Sequence, residues 1–141
     1  MMIFKFTKLI FCLLLLTTSL YANTKHFEEG VSLFNNDKLK EAKFKFEQDI
    51  VFNPKNELSY MYLAKIFKSL KKKDLEEQNL NTVILLNPSN EEAIYSLAKL
   101  KLDISDYAKS KELNERLSDL CEKFCKRSEK LKIEIDSLSK K

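Results

Sequence analysis

Cys121 and Cys125 are the residues of this chain whose type and spacing could do covalent chemistry. Two thiols four positions apart are candidates for a disulfide wherever the compartment is oxidising. Inside a regular helix that spacing brings the Cα atoms within reach but aims the Cβ atoms poorly, so a turn between them would relax the geometry. Three states stay open at this point: a structural disulfide, free thiols, or a redox-active pair. The spacing is not Cys-x-x-Cys, so thioredoxin-type and haem-attachment motifs are absent. A zinc site needs further ligands, and the single histidine, His26, is remote in sequence and reads as a helix-surface residue. Gly30 is the one glycine, which excludes a glycine-rich phosphate loop, and no Ser-His-Asp set or histidine cluster exists. Carboxylates are plentiful but lie among lysines. Glu41/Lys45 and Glu112/Arg116 read as i,i+4 pairs on solvated helix faces, and Lys71-Lys72-Lys73 as a solvated turn. No catalysis, cofactor or metal is expected.

The elements around these residues follow from apolar spacing. Phe27, Val31 and Phe34, then Tyr60, Leu63 and Phe67, recur three or four apart, as one helix face requires. Second runs follow each polar break: Ala42, Phe46 and Ile50, then Leu80, Val83 and Leu86. Small residues such as Gly30, Ala42 and Ala64 let two helix backbones approach, and Phe46 and Leu80 fill the groove beside them. Pro54 and Pro88 cannot continue a helix, because each lacks an N–H and disfavours helical geometry in the residue before it. Asn56 and Asn90 stand just ahead of Glu57 and Glu91-Glu92, which is N-cap chemistry with acid in the first turn. The spacing predicts helices near 24–36, 38–52, 56–70, 73–86, 90–103 and 105–120. A tail helix from Ser128 to Leu138 carries Leu131, Ile135 and Leu138 on one stripe. One glycine, two prolines and no tryptophan fit a nearly all-helical chain.

These helices repeat. Asn53-Pro54 recurs as Asn87-Pro88, 34 residues later, and a fixed period of this kind marks a stacked helix–turn–helix unit. Ahead of the first pair stand Gly30, Leu33, Ala42, Phe46 and Phe52; at the same offsets ahead of the second stand Ala64, Phe67, Glu76, Leu80 and Leu86. Both units resemble the tetratricopeptide repeat. A third unit is degraded: Leu97-Ala98 and Ser110 keep their places, but Asn114 replaces the large apolar residue and Glu122 the proline. The resemblance covers roughly 23–122 and implies an all-α, right-handed superhelix of about three such units with a C-terminal capping helix. The expected division is 23–56, 57–90 and 91–122, with 123–141 as the cap.

The resemblance also implies where a partner would bind. In tetratricopeptide proteins the first helix of each unit lines a concave face. The residues that map there are Phe27, Val31 and Phe34 in the first unit, Met61, Tyr62, Lys65 and Lys68 in the second, and Tyr95, Lys99 and Leu102 in the third. The Lys and Asn clamp of the chaperone-binding branch is absent, since its positions hold Phe27, Val31, Tyr62, Glu92 and Ser96. The remaining surface is apolar, aromatic and lysine-bearing, suited to an amphipathic or mildly acidic segment.

The first 22 residues differ in kind. Lys5 and Lys8 precede the unbroken apolar run Leu9–Leu16, and Thr17–Ala22 is a polar exit ending in a small residue. That order matches a secretory signal peptide cleaved after Ala22, with an uncleaved membrane anchor as the alternative. Without this segment the basic count falls from 25 to 23 against 21 acids, a net charge of +2 rather than +4. That is not the balance of a nucleic-acid binder. The expectation is a periplasmic or secreted protein-interaction module, an adaptor or assembly factor in a bacterial envelope. The alternative classes are a thiol-disulfide-active protein using Cys121/Cys125 and a membrane-anchored accessory subunit.

Overall fold

The computed structural model describes residues 25–139, which form seven helices and no strand. The segment 1–22, read above as a signal peptide, lies outside the described residues. The helices are α1 over 25–35, α2 Leu39–Phe52, α3 Glu57–Ser69, α4 Lys73–Leu86, α5 Glu91–Asp103, α6 Tyr107–Leu120 and α7 Cys125–Leu138. Contacts gather into two compact units, one ending at Ser59 and the other beginning at Tyr60.

The 34-residue period is written into the backbone. α2, α4 and α6 begin at Leu39, Lys73 and Tyr107; α3, α5 and α7 begin at Glu57, Glu91 and Cys125. The turns inside the helix pairs place Asp37, Lys71 and Ser105 at φ of 59°, 56° and 64°. Each closes by the same bond, Lys38 N–H to the Leu33 carbonyl, Lys72 to Phe67, and Asp106 to Lys101, at 2.9, 2.9 and 2.8 Å. That is the Schellman termination, which needs one left-handed residue. The sequence supplies no glycine there, so each turn accepts the Cβ cost of the left-handed region.

The turns after α2 and α4 use asparagine. Asn90 accepts the Ala93 N–H at 3.0 Å and caps α5. Asn56 accepts from the Leu58 N–H at 3.2 Å and donates to Asp49 at 2.7 Å, while the Ser59 hydroxyl donates to the same carboxylate at 2.5 Å. Asp49 is fully buried. The buried stripe of α2 is therefore Ala42, Phe46 and Asp49, with the expected Ile50 half-buried beside it.

The small residues act as predicted. A Cβ on Gly30 would lie 2.8 Å from the Phe46 ring, so α1 and α2 approach as they do because residue 30 has no side chain. In the third repeat, Ser110 donates its hydroxyl to the Ala98 carbonyl at 2.8 Å, tying α6 to α5. Leu80, Val83, Ile94, Leu117 and Leu131 form the centre of a core that extends into α7. Two surface pairs differ from expectation. Lys45 reaches Glu29 on α1 at 2.6 Å rather than Glu41, and Glu112 pairs with Lys109 at 2.6 Å, while Arg116 donates to the Pro88 carbonyl. Contacts offered by a neighbouring element drew off Lys45 and Arg116, and Glu112 paired with a lysine of its own helix instead.

α7 starts 34 residues after α5, so it stands in register as the first helix of a further unit. Lys132 then falls where Gly30, Ala64 and Ala98 stand in earlier first helices. It lines an open cavity of about 390 Å³ between α6 and α7, together with Asn114, Ser118 and Asp136.

Candidate functional site

The second unit brings α3, α5 and α7 together through their exposed edges. Lys65 on α3 pairs with Glu92 on α5 at 2.9 Å and lies 5.3 Å from the Tyr62 ring. Lys99 on α5 pairs with both carboxylate oxygens of Glu134 on α7, at 2.8 and 2.9 Å. Tyr95 packs on Phe124 at 5.6 Å, and the Arg127 guanidinium lies over both rings, at 5.7 and 4.6 Å. Tyr62, Lys65, Tyr95 and Lys99 are all half-buried. The arrangement is a strip of aromatic faces and lysines whose charges are already neutralised by carboxylates from the next helix.

Other expected residues fall elsewhere. Met61 and Leu102 are each only 4% exposed and belong to the core of the second unit. They cannot meet a partner in the folded chain: α3 and α5 are covered on more than one side, so their buried arc is wider than a one-sided face. Lys68 is exposed and lines, with Lys65, the small cavity at the buried Glu76. In the first unit Phe27 packs against Phe46 at 5.9 Å, and Phe27, Val31 and Phe34 are half-buried. His26, expected on the surface, is also half-buried and stacks on Phe52 at 5.7 Å. Glu134, Arg127 and Phe124 were missed by the sequence reading. Carrying the period one step past Glu91 to Cys125 would have placed them.

Glu91 organises the C-terminal end of the strip. It is 8% exposed, and its carboxylate accepts the backbone N–H groups of Glu122, Lys123 and Phe124 at 2.6, 2.7 and 3.1 Å. Burial pushes this carboxyl up, but the three donors, with Lys123, outweigh it and hold it below the usual range. Cys121 and Cys125 bracket the same loop and are joined by a disulfide, with their Cα atoms 4.9 Å apart. Glu76, where the first unit has Ala42 and the third Ser110, is 5% exposed. Burial raises its carboxyl above the usual value, and Asp103 adds to this, while Lys68 and Lys73 oppose it. Among the described residues no group of three His, Cys, Asp or Glu could hold a metal, and no helix is long and apolar enough to cross a membrane.

No family model matches the sequence, and no curated protein does. Solved structures match by shape. The first TPR of Spaghetti (RPAP3), bound to an HSP90 peptide, aligns over 84% of this chain and 94% of its own, at TM-score 0.75 and 20% identity. The type III secretion chaperone SycD of Yersinia enterocolitica, in complex with a peptide of the translocator YopD, covers 83% and 93% at TM-score 0.73 and 12% identity. The TPR2B domain of yeast Sti1, in a complex with Hsp70, covers 82% and 97% at TM-score 0.75 and 15% identity.

Proposed function

On the premise of the tetratricopeptide-repeat fold that the chain adopts, we propose that it binds a segment of another protein along the strip made by α3, α5 and α7, with no catalysis of its own. The observation that carries this is the equivalence of Lys65 on α3 with Lys99 on α5, 34 positions apart, each paired with a carboxylate and each with a half-buried tyrosine nearby on its own helix, Tyr62 and Tyr95 at positions that differ by one in the repeat. Aromatic rings give apolar area with a polar handle. Each lysine is held by a carboxylate that an acidic group on a partner could replace, the displaced Glu92 or Glu134 being exposed enough to pass to solvent. The related folds above that hold peptides of HSP90 and of a translocator support this reading. Fold analogy and the basic-apolar-polar order of residues 1–22 further support an exported adaptor or assembly factor of a bacterial envelope. It would act in the periplasm or outside the cell, with a protein or peptide partner and no nucleic acid.

The test is cross-linking in intact cells, with the captured protein identified and then re-assayed against the double variant Lys65→Glu/Lys99→Glu. The variant loses two exposed ion pairs, worth about 0–1 kcal/mol each, so its helix content should persist. Capture should fall, and fall most at low ionic strength, where exposed charge contacts are least screened. Full capture by the folded double variant would remove the strip from consideration.

A further inference from the structure

We propose that the Cys121–Cys125 disulfide is an exchangeable latch: a dithiol reduces it, and reduction frees the start of α7 from the grip on Glu91. The three turns that join successive helix pairs are aligned by the 34-residue period as Asn53-Pro54-Lys55-Asn56, Asn87-Pro88-Ser89-Asn90 and Cys121-Glu122-Lys123-Phe124. The second is shaped by proline, by an Asn87 side chain that accepts the Ser89 N–H at 3.2 Å, and by the Asn90 cap. The third has no proline, and Phe124 stands at the cap position with no side-chain hydrogen bond. Two other devices do that work. The disulfide closes the turn, and Glu91 receives the N–H groups of the three residues inside the closed ring. Cys121 itself sits at φ 33°, a left-handed position unfavourable for a side-chain-bearing residue. The covalent bond thus holds three amides in one orientation, and those amides hold α7 to α5.

Its chemistry is accessible. Cys121 is exposed, whereas Cys125 is half-buried as the first residue of α7. The exposed Cys121 sulfur is the one an incoming thiolate reaches, which leaves the Cys125 sulfur as the leaving group. The attacking thiolate of a dithiol therefore bonds to the Cys121 sulfur. The Cys121–Cys125 bond breaks, and its electron pair goes to the Cys125 sulfur. The second thiol of the reductant then attacks its own sulfur in the mixed disulfide and releases Cys121. Two electrons enter the chain, the two thiol protons of the dithiol end on the cysteines, and the dithiol leaves as a disulfide. Because the closed loop is so short, the bond restrains the unfolded chain less than a long-loop bridge would. Its effect should be local to the turn and α7 rather than global.

The full chain, purified oxidised, should be treated with dithiothreitol under native conditions, alkylated, and followed by mass and by amide hydrogen exchange. Two alkylations are expected, with exchange over 122–138 rising by about tenfold or more while α5 stays protected, as for opening of a local unit. The variant Cys121→Ser/Cys125→Ser should show the fast exchange without reductant and no response to it. Quenching a reaction with a monothiol should trap the adduct on Cys121. Full reduction with unchanged exchange over 122–138 would overturn the latch, as would a disulfide that dithiothreitol reduces only after denaturation. A trapped adduct on Cys125 would overturn the assigned direction of attack.

Discussion

Glu76 is where residue chemistry and repeat geometry disagree most. The site takes alanine in the first unit and serine in the third because two helices cross there closely, yet here a carboxyl is enclosed with Met61, Ala64 and Leu80 around a cavity of about 20 Å³. Burial first, and Asp103 second, raise its proton affinity in the folded chain. Between the ordinary carboxylate value and the raised one, the folded state binds a proton that the unfolded state has lost, so stability falls as pH rises through that window. Urea titrations from acid to neutral pH should show this slope in the native chain, and Glu76→Gln should flatten it. Glu76→Ala should add about 1 kcal/mol at neutral pH by restoring the small residue. An identical slope in Glu76→Gln would refute the assignment. The anomaly was legible in the sequence, since Glu76 aligns with Ala42. Asp49 was not: it lies on an apolar stripe, and the residues that satisfy it, Asn56 and Ser59, come from the next turn and helix.

At the scale of the element, α7 shows how a helix can lack its own start signal. The apolar stripe at Leu131, Ile135 and Leu138 was readable, but the expected start fell at Ser128 rather than Cys125 because no capping side chain precedes it. The helix entry is fixed instead by Glu91, which lies 31 to 33 positions earlier and accepts the N–H groups of the three residues just ahead of α7. Local pattern reading has no access to that. The consequence is a pH dependence of opposite sign to that of Glu76. Glu91 is held below its ordinary value, so its contribution is present above the ordinary carboxylate range and lost as pH falls through the depressed one. Amide exchange should show α7 losing protection on acidification before α5 does. In Glu91→Gln that early loss should already be present at neutral pH. Equal protection of α7 in the variant and the native chain would mean that the carboxylate is incidental.

For the molecule as a whole, the fold was legible because the repeat states each helix more than once, and an error in one copy is corrected by the next. The proposed strip was only half legible. Positions transferred from the repeat assume a one-sided helix, which holds for Tyr62, Lys65, Tyr95 and Lys99 but fails for Met61 and Leu102, enclosed in the core. The carboxylates that hold the lysines lie on following helices, and Glu134 could be placed only after α7 was recognised as part of the series. The exported adaptor reading has its own check at this scale. Lys5, Lys8 and the apolar run before Ala22 should direct processing, so the mature chain should begin at Asn23 and be recovered in soluble form. An intact amino terminus in the membrane fraction would favour the anchored accessory subunit instead.

Lys132 gives the series a direction of growth. A duplicated 34-residue block inserted between Asn90 and Glu91 would keep every junction in phase, because each side of the cut already matches the period. A block added beyond Leu138 would ask its first arriving helix to seat against a lysine where Gly30, Ala64 and Ala98 had left room. A chain extended by such a block beyond Leu138 should therefore gain stability from the added helices only when Lys132→Ala accompanies it, as urea titration of the two extended chains would show.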